Sequence, residues 1–348
     1  MSATARSFFT RNQRQTARLL ACCSVLLLAG SRVDAQDTPL LSGGIGFLTS
    51  TNAGNTTYLP IIEPLLAAPV GPHVLVESRA ALLETFSPGG NGYKHSHFVG
   101  LTYLEGDFLA GPHLTVVAGS YLLPFATYNE RLSPVWISNL QDGPLIANLG
   151  LMSSGTGVGG QLRGSAVSTA KFSIDYAAWY SAHSGNSQFA AKRSTGERTN
   201  LVLPEQRLEI GVSWDRLLEG TRENFYGTHL WWEPADTAFR FRSEFARGAH
   251  GQGYWAEADY RLQRFGNSFV GGFEPLFRMQ QTFRRNSVAS DGLPPVNTQR
   301  ADFGLDYNLP HSVRILTSYS RQFSSTRDEN IWETGIVYRF LLPAWKGR

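Results

Sequence analysis

The stretch Phe239-Arg240-Phe241-Arg242-Ser243-Glu244-Phe245 sets Phe239, Phe241 and Phe245 on one parity and Arg240, Arg242 and Glu244 on the other. A helix with 3.6 residues per turn would scatter those charges around its surface, whereas an extended strand puts every second residue on one face. The segment is therefore read as a strand with one apolar and one polar side. The same period of two recurs on either side of it. Tyr254, Ala256, Ala258, Tyr260 and Leu262 interleave with Trp255, Glu257, Asp259 and Arg261, and Leu208, Ile210, Val212 and Trp214 with Glu209, Gly211, Ser213 and Asp215. Farther on, Phe303, Leu305 and Tyr307 alternate with Asp302, Gly304 and Asp306, and Trp332, Thr334, Ile336, Tyr338 and Phe340 with Glu333, Gly335, Val337 and Arg339. Soluble sandwiches usually turn threonine, serine and lysine to water and pack the apolar face as a core. Here the polar face mixes arginine with carboxylates, the pattern of a strand with lipid on one side and a hydrated lumen on the other.

Extended along the chain, this reading gives strands at 43–50, 57–67, 73–86, 94–106, 113–124, 156–167, 170–181, 194–203, 207–216, 225–233, 237–246, 253–263, 268–281, 300–308, 312–322 and 331–340. That makes about 16; 14 also fits, because 43–50, 57–67 and 194–203 alternate least clearly. Tight links such as Pro69-Val70-Gly71-Pro72, Ala110-Gly111-Pro112, Pro204-Glu205-Gln206 and Asn308-Leu309-Pro310-His311 fall at one end. Longer ones at 87–93, 125–155, 182–193, 217–224 and 282–299 fall at the other. An even count with both termini on the short-turn side is what closure requires, and closure removes exposed strand edges. The expected fold is all-β, a single transmembrane antiparallel β-barrel over 36–348 with one long loop turned inward.

The amino terminus reads differently. Arg6, Arg11, Arg14 and Arg18 precede an apolar run from Leu19 to Gly30, followed by Val33-Asp34-Ala35. Basic region, short apolar core and small-residue site are the parts of a secretory signal peptide, with cleavage expected after Ala35. The core is shorter than the roughly 20 apolar residues a spanning helix needs. Cys22 and Cys23, the only cysteines, fall inside this segment, so no disulfide or thiol site is expected after cleavage. Lipid attachment at Cys22 is disfavoured because most of the apolar core follows it. The full chain carries 31 basic and 28 acidic residues, but the signal takes five arginines and one aspartate. The remainder is close to neutral, so charge gives no argument for nucleic acid. A hydrophobic fraction of 42% with 12% aromatics and 35 glycines excludes a disordered secreted tail.

Several stretches resemble strand signatures of the phosphate-selective porin-like family of outer-membrane channels. They are Gly119-Ser120-Tyr121-Leu122-Leu123-Pro124-Phe125, Leu208-Glu209-Ile210-Gly211-Val212-Ser213, Gly253-Tyr254-Trp255-Ala256-Glu257-Ala258-Asp259-Tyr260-Arg261-Leu262 and Phe273-Glu274-Pro275-Leu276-Phe277-Arg278. The ending Gly335-Ile336-Val337-Tyr338-Arg339-Phe340 resembles the aromatic-terminated signal read by the barrel-assembly machinery. The resemblance implies a 16-stranded porin in the bacterial outer membrane, a trimeric assembly, and one long loop folded into the lumen. No ladder of lumenal arginines and lysines maps onto the chain, so phosphate selectivity is not carried over.

A pore selects by width and by lining charge. The candidate constriction is the connection 125–155, through Tyr128, Asn129, Glu130, Arg131, Trp136 and Asp142; its prolines, aromatics and paired charges suit an ordered loop. Its charges could also serve only to pin it to the wall. The alternation assigns Arg79, Arg163, Arg240, Arg242, Arg261, Arg278, Arg314 and Arg339 to the lumen. Facing them are Glu77, Asp175, Glu209, Asp215, Glu244, Glu257, Asp259, Glu274, Asp302, Asp306 and Glu333, a mixed wall that predicts weak charge selectivity. His95 and His97 share a strand face but lack an evident third metal ligand. The run Gly155-Thr156-Gly157-Val158-Gly159-Gly160 lacks the lysine and hydroxyl residue that end a phosphate loop, and reads as a strand bending beside a crowded wall. Ser96 and His97, as strand neighbours, point to opposite faces and make a poor nucleophile and base. The expectation is a cofactor-free, non-enzymatic channel for passive diffusion of small hydrophilic solutes or ions. Its rivals are a plugged structural or adhesive barrel, a soluble β-sandwich and, behind these, an outer-membrane hydrolase.

Overall fold

Alternation leaves each strand one face for apolar contact and one for polar contact, and a sheet that curls until its two edges meet separates those faces into an outside and an inside. The computed structural model describes residues 39–90, 92–147, 155–265, 269–287 and 292–342, so the expected signal peptide lies outside the described residues. The strands are β1 (Leu40–Asn52), β2 (Asn55–Pro69), β3 (Val74–Gly89), β4 (Gly92–Gly111), β5 (Leu114–Leu122), β6 (Thr156–Ser168), β7 (Ser173–Ser181) and β8 (Ser194–Leu203). They continue as β9 (Leu208–Leu217), β10 (Asn224–Trp232), β11 (Phe239–Arg247), β12 (Gly251–Tyr260), β13 (Phe273–Arg284), β14 (Thr298–Leu309), β15 (Val313–Ser324) and β16 (Glu329–Leu342). Each pairs antiparallel with its sequence neighbours, and β1 pairs with β16, so the barrel closes at sixteen strands.

The register puts like with like. On β11 and β12, Arg240 lies opposite Asp259 and Arg242 opposite Glu257, while Phe239 faces Tyr260 and Phe245 faces Tyr254. Phe303, Trp332 and Ile336 are exposed on the outside, whereas Asp302 and Glu333 are buried on the inside. A soluble protein rarely leaves so continuous an apolar surface uncovered. The closed ladder also overturns the two-sheet sandwich, because no second sheet faces the first.

Several connections differ from the expected alternation of long and short; at the long-loop end, β1 and β2 are joined by the tight turn Ala53-Gly54. The link read as 87–93 is tight: β3 runs to Gly89, which pairs directly with Gly92 at the start of β4. At the short-turn end, 261–272 is a longer crossing that holds 3-10 turns at Leu262–Phe265 and Val270–Gly272. Hairpin register set the first outcome, since residues 87–89 and 92–94 pair and continue the ladder instead of forming a loop.

Because the outward face is apolar, a charge placed there is expected to be costly in a bilayer. Ile336→Arg should lower unfolding stability in lipid by about 2–4 kcal/mol if the position lies near mid-bilayer; denaturant titration of the liposome-folded barrel measures it.

Candidate functional site: the lumen and its inward loop

The loop between β5 and β6 does not stand outside the barrel. It enters through an apolar foot: Phe125, Leu132 and Ile146 pack with Leu217, Phe225, Ala246 and Trp255 on the inner face of β9–β12. Burying such a side chain is worth about 2 kcal/mol. Glu244 on β11 then takes three donors from the loop at one carboxylate oxygen: the Thr127 amide at 2.7 Å, the Thr127 hydroxyl at 2.5 Å and the Tyr128 amide at 2.6 Å. Its other oxygen accepts the Trp255 indole N–H at 3.1 Å. Tyr128 lies edge-on to Trp255, within a single π-helical turn, Tyr128–Leu132. Burial pushes the Tyr128 phenol up to about 12, so it stays protonated.

From there the loop crosses the lumen between two opposed ion pairs. Glu130 accepts from Arg198 on β8, and Arg131 donates to Glu209 on β9 at 2.7 Å. Burial alone would lower the Arg131 pKa, but the hydrogen bond and charge of Glu209 outweigh it and hold the guanidinium more firmly protonated. Asn129 donates its side-chain amide to the Gly155 carbonyl and ties the two ends of the loop together. Farther on, the Val135 amide donates to Glu63 on β2 at 2.7 Å, and Val135 packs with Leu48, Leu316 and Val337. Trp136 rests on β1 where a Cβ at Gly44 would come within 2.8 Å of the indole, so the close approach requires glycine there.

The far arm of the loop meets a charged wall. Asp302 on β14 accepts from Arg278 (3.0 Å), Gln280 (2.6 Å), Arg300 (2.5 Å) and Ser320 (2.5 Å). Asp142 joins this hub, its carboxylate 2.9 Å from Arg300 and its carbonyl 3.0 Å from Arg278. Arg314 donates to Asn139 at 3.0 Å and to the Ser138 carbonyl, and it lies 3.8 Å from Asp306. Arg240 bridges Asp259 and Glu274, Arg261 reaches Glu274 at 3.1 Å, and Arg242 bridges Glu257 and Asp259 with Trp231 beneath it. Glu333 accepts from Ser318 at 3.0 Å. On this side of the barrel the loop and the arginine–carboxylate lattice fill the interior.

The opposite side stays open. A cavity of about 520 Å³ lies against the inner faces of β3–β8 and the loop segment Glu130-Arg131. Its polar lining includes Glu77, Glu105, Asp175, Arg163 and Arg198. Arg79 closes one edge, buried, stacked over Tyr103 and 3.4 Å from the Ser133 hydroxyl of the loop.

No family model matches the chain, and no curated protein does. Solved structures do. OmpF of Salmonella typhi, in complex with daunomycin, is 10% identical over 89% of this chain and 99% of its own, with a TM-score of 0.60. An anion-selective porin from Comamonas acidovorans aligns over 87% and 98% at 10% identity and a TM-score of 0.54. OmpT, an outer membrane protein of Vibrio cholerae, aligns over 89% and 99% at 9% identity and a TM-score of 0.54. The chain has the fold of an outer-membrane porin.

Within this porin-fold barrel the six loop residues singled out in the sequence are brought inside, but to different places. Glu130 and Arg131 border the cavity, whereas Tyr128, Trp136 and Asp142 are anchored in the filled half. Residues 148–154 of the loop lie outside the described residues. Of the wall residues, only Arg163 lines the cavity together with Glu77 and Asp175, while Arg339 sits exposed at the short-turn end of β16 without an ion pair among the described residues. His95 and His97 are exposed, with His95 stacked on Phe86 and bonded to Glu84, and no hydrogen bond joins Ser96 to His97. Gly157 passes under Tyr121, where a Cβ would come within 2.8 Å of the ring.

The sequence reading missed Glu63, Glu105, Asp107, Arg198 and Arg300. Arg300 shares the parity of Asp302 and Asp306, so carrying that alternation back by two residues would have found it. Glu63 carried no such signal, because its neighbours Leu59 and Ile61 face inward and are apolar to receive Val135 and Trp136. Removing the anchor should release the loop. Glu244→Ala leaves three loop donors without their acceptor, and a loss of about 3 kcal/mol is expected. Thermal unfolding measures the loss, and new protease cleavage within 125–147 of the folded barrel reports the release.

Proposed function

We propose that the chain is a porin-type channel of the bacterial outer membrane, through which small hydrophilic solutes or ions diffuse passively. The observation that carries this reading is the division of the lumen: a loop held on one half of the wall by ion pairs leaves a polar cavity against β3–β8. Such a division sets an upper limit on solute size while the rest of the barrel stays rigid. Glu130 and Arg131 are the constriction residues of this pathway, and the wall residues of the filled half hold the loop in place. The fold shared with OmpF and with the anion-selective porin supports the reading. Phosphate selectivity, as in the family the sequence resembles, is not favoured. The cavity is bordered by four carboxylates, Glu77, Glu105, Glu130 and Asp175, against three arginines, Arg131, Arg163 and Arg198. A homotrimer and recognition of the final strand by the barrel-assembly machinery belong to the same proposal on the strength of the sequence resemblance.

Planar-bilayer recording of the purified barrel should give discrete conductance steps. Ala177→Trp, which adds an indole to the cavity wall, should at least halve the step size. Correctly inserted protein that gives no steps would sink the channel reading and favour the plugged barrel, whose dense loop packing is already visible in the filled half.

A further inference from the structure

At the edge of the cavity, where Glu77 and Glu105 line the wall and Asp107 is buried behind it, neighbours leave a group of charges unbalanced. Glu77 on β3 lies directly opposite Glu105 on β4, and Asp107 follows two residues later on the same face. One ligand oxygen from each of the three lies within 4.8 Å of the others. Arg163 on β6 is the cation beside them, bonded to one oxygen of Asp107 and 3.8 Å from Glu105. Three carboxylates and one guanidinium leave a formal charge near −2. Like charges this close repel strongly unless a cation enters.

Two further atoms point to a missing occupant. Asp107 is only 3% exposed, yet its second carboxylate oxygen is buried with no hydrogen-bond partner. Gln161, also 3% exposed, lines the same cavity and lies on the same rung as Asp107, with Val117 of β5 between them. Its side-chain amide nitrogen is buried without a partner too. Buried polar atoms are nearly always satisfied, so two orphans beside an excess of negative charge mark a place built for something polar. Hard divalent cations favour clusters of carboxylate and carbonyl oxygens reached through water.

We propose that Glu77, Glu105 and Asp107 form a divalent-cation site on the wall of the open half of the lumen, of the calcium or magnesium type. Arg163 tunes its affinity, and a hydrated cation held there orders water against the Gln161 amide. The site gives the pathway a local preference for cations. It rests on the channel reading only for that last consequence, since the ligand set is a property of the folded barrel.

The test uses the full folded barrel in detergent, with terbium as a luminescent stand-in for calcium. Saturable terbium emission excited through tyrosine and displaced by calcium is expected, with an affinity in the range of open oxygen-ligand sites, about 10⁻⁴ to 10⁻³ M. Glu77→Gln/Glu105→Gln should weaken calcium competition at least tenfold, and Glu77→Gln alone about threefold. The single variant changes a partly exposed side chain and keeps the test decisive if the double variant fails to fold, as judged by heat-modifiable gel migration. Glu205→Gln, in an exposed turn, should change nothing. Absence of calcium-displaceable emission, or equal competition in wild type and folded variants, overturns the site. Conductance separates the two claims: a barrel that conducts without binding calcium loses only the site, and one that binds calcium without conducting loses only the channel.

Discussion

Each strand needs a hydrogen-bond partner along both edges, and in this chain the pairing of β1 with β16 supplies the last one. An open edge would leave a row of backbone donors and acceptors bare, which a hydrocarbon environment does not tolerate. Closure makes the rest possible, since only a closed sheet has an inside. Once Glu244, Asp302 and Arg242 share an interior, charges that would be isolated on an open surface become a lattice, and the lattice becomes a place to fasten a loop.

The interior is divided unevenly, and the division follows from where apolar side chains face inward. Phe125, Leu132 and Ile146 dock on β9–β12, where Leu217, Phe225 and Trp255 are turned inside, and Val135 and Trp136 dock near Leu48 and the glycine gap of β1. These two patches hold the loop on one side, and the ion pairs from Arg131 and Asp142 set its height. Such ion pairs contribute modestly to net stability, because desolvation and side-chain ordering offset most of their attraction. Their larger effect is geometric: a loop that leaves its partners strands charges, so it has one seat. The polar cavity remains against β3–β8, where the wall carries more carboxylate than arginine.

Much of this was legible in one dimension. Period-two alternation located all sixteen strands, and even 194–203, which alternates weakly, is a strand with those bounds. It was weakest where the inner face is apolar, as around Leu59 and Ile61, and there it missed the inward Glu63, because such a strand no longer contrasts one side with the other. It also misjudged 261–272, and 87–93, where residue types compatible with a loop or a strand were decided by register with the neighbouring strand. The packing of the loop over 125–147 was anticipated from its prolines and aromatics. Its partners were not, since Glu244, Arg198 and Arg300 lie between 68 and 158 positions away along the chain from the residues they hold.

The amino-acid sequence by itself determined which residues face out and which face in, because alternation is a local consequence of extended backbone geometry. It also pointed to packing in one long connection. Only the tertiary structure decided which half of the lumen that connection fills and where carboxylates outnumber the cations beside them. Those outcomes depend on through-space contacts across the barrel, where strands distant in sequence come within hydrogen-bond reach, and no local pattern records such distances.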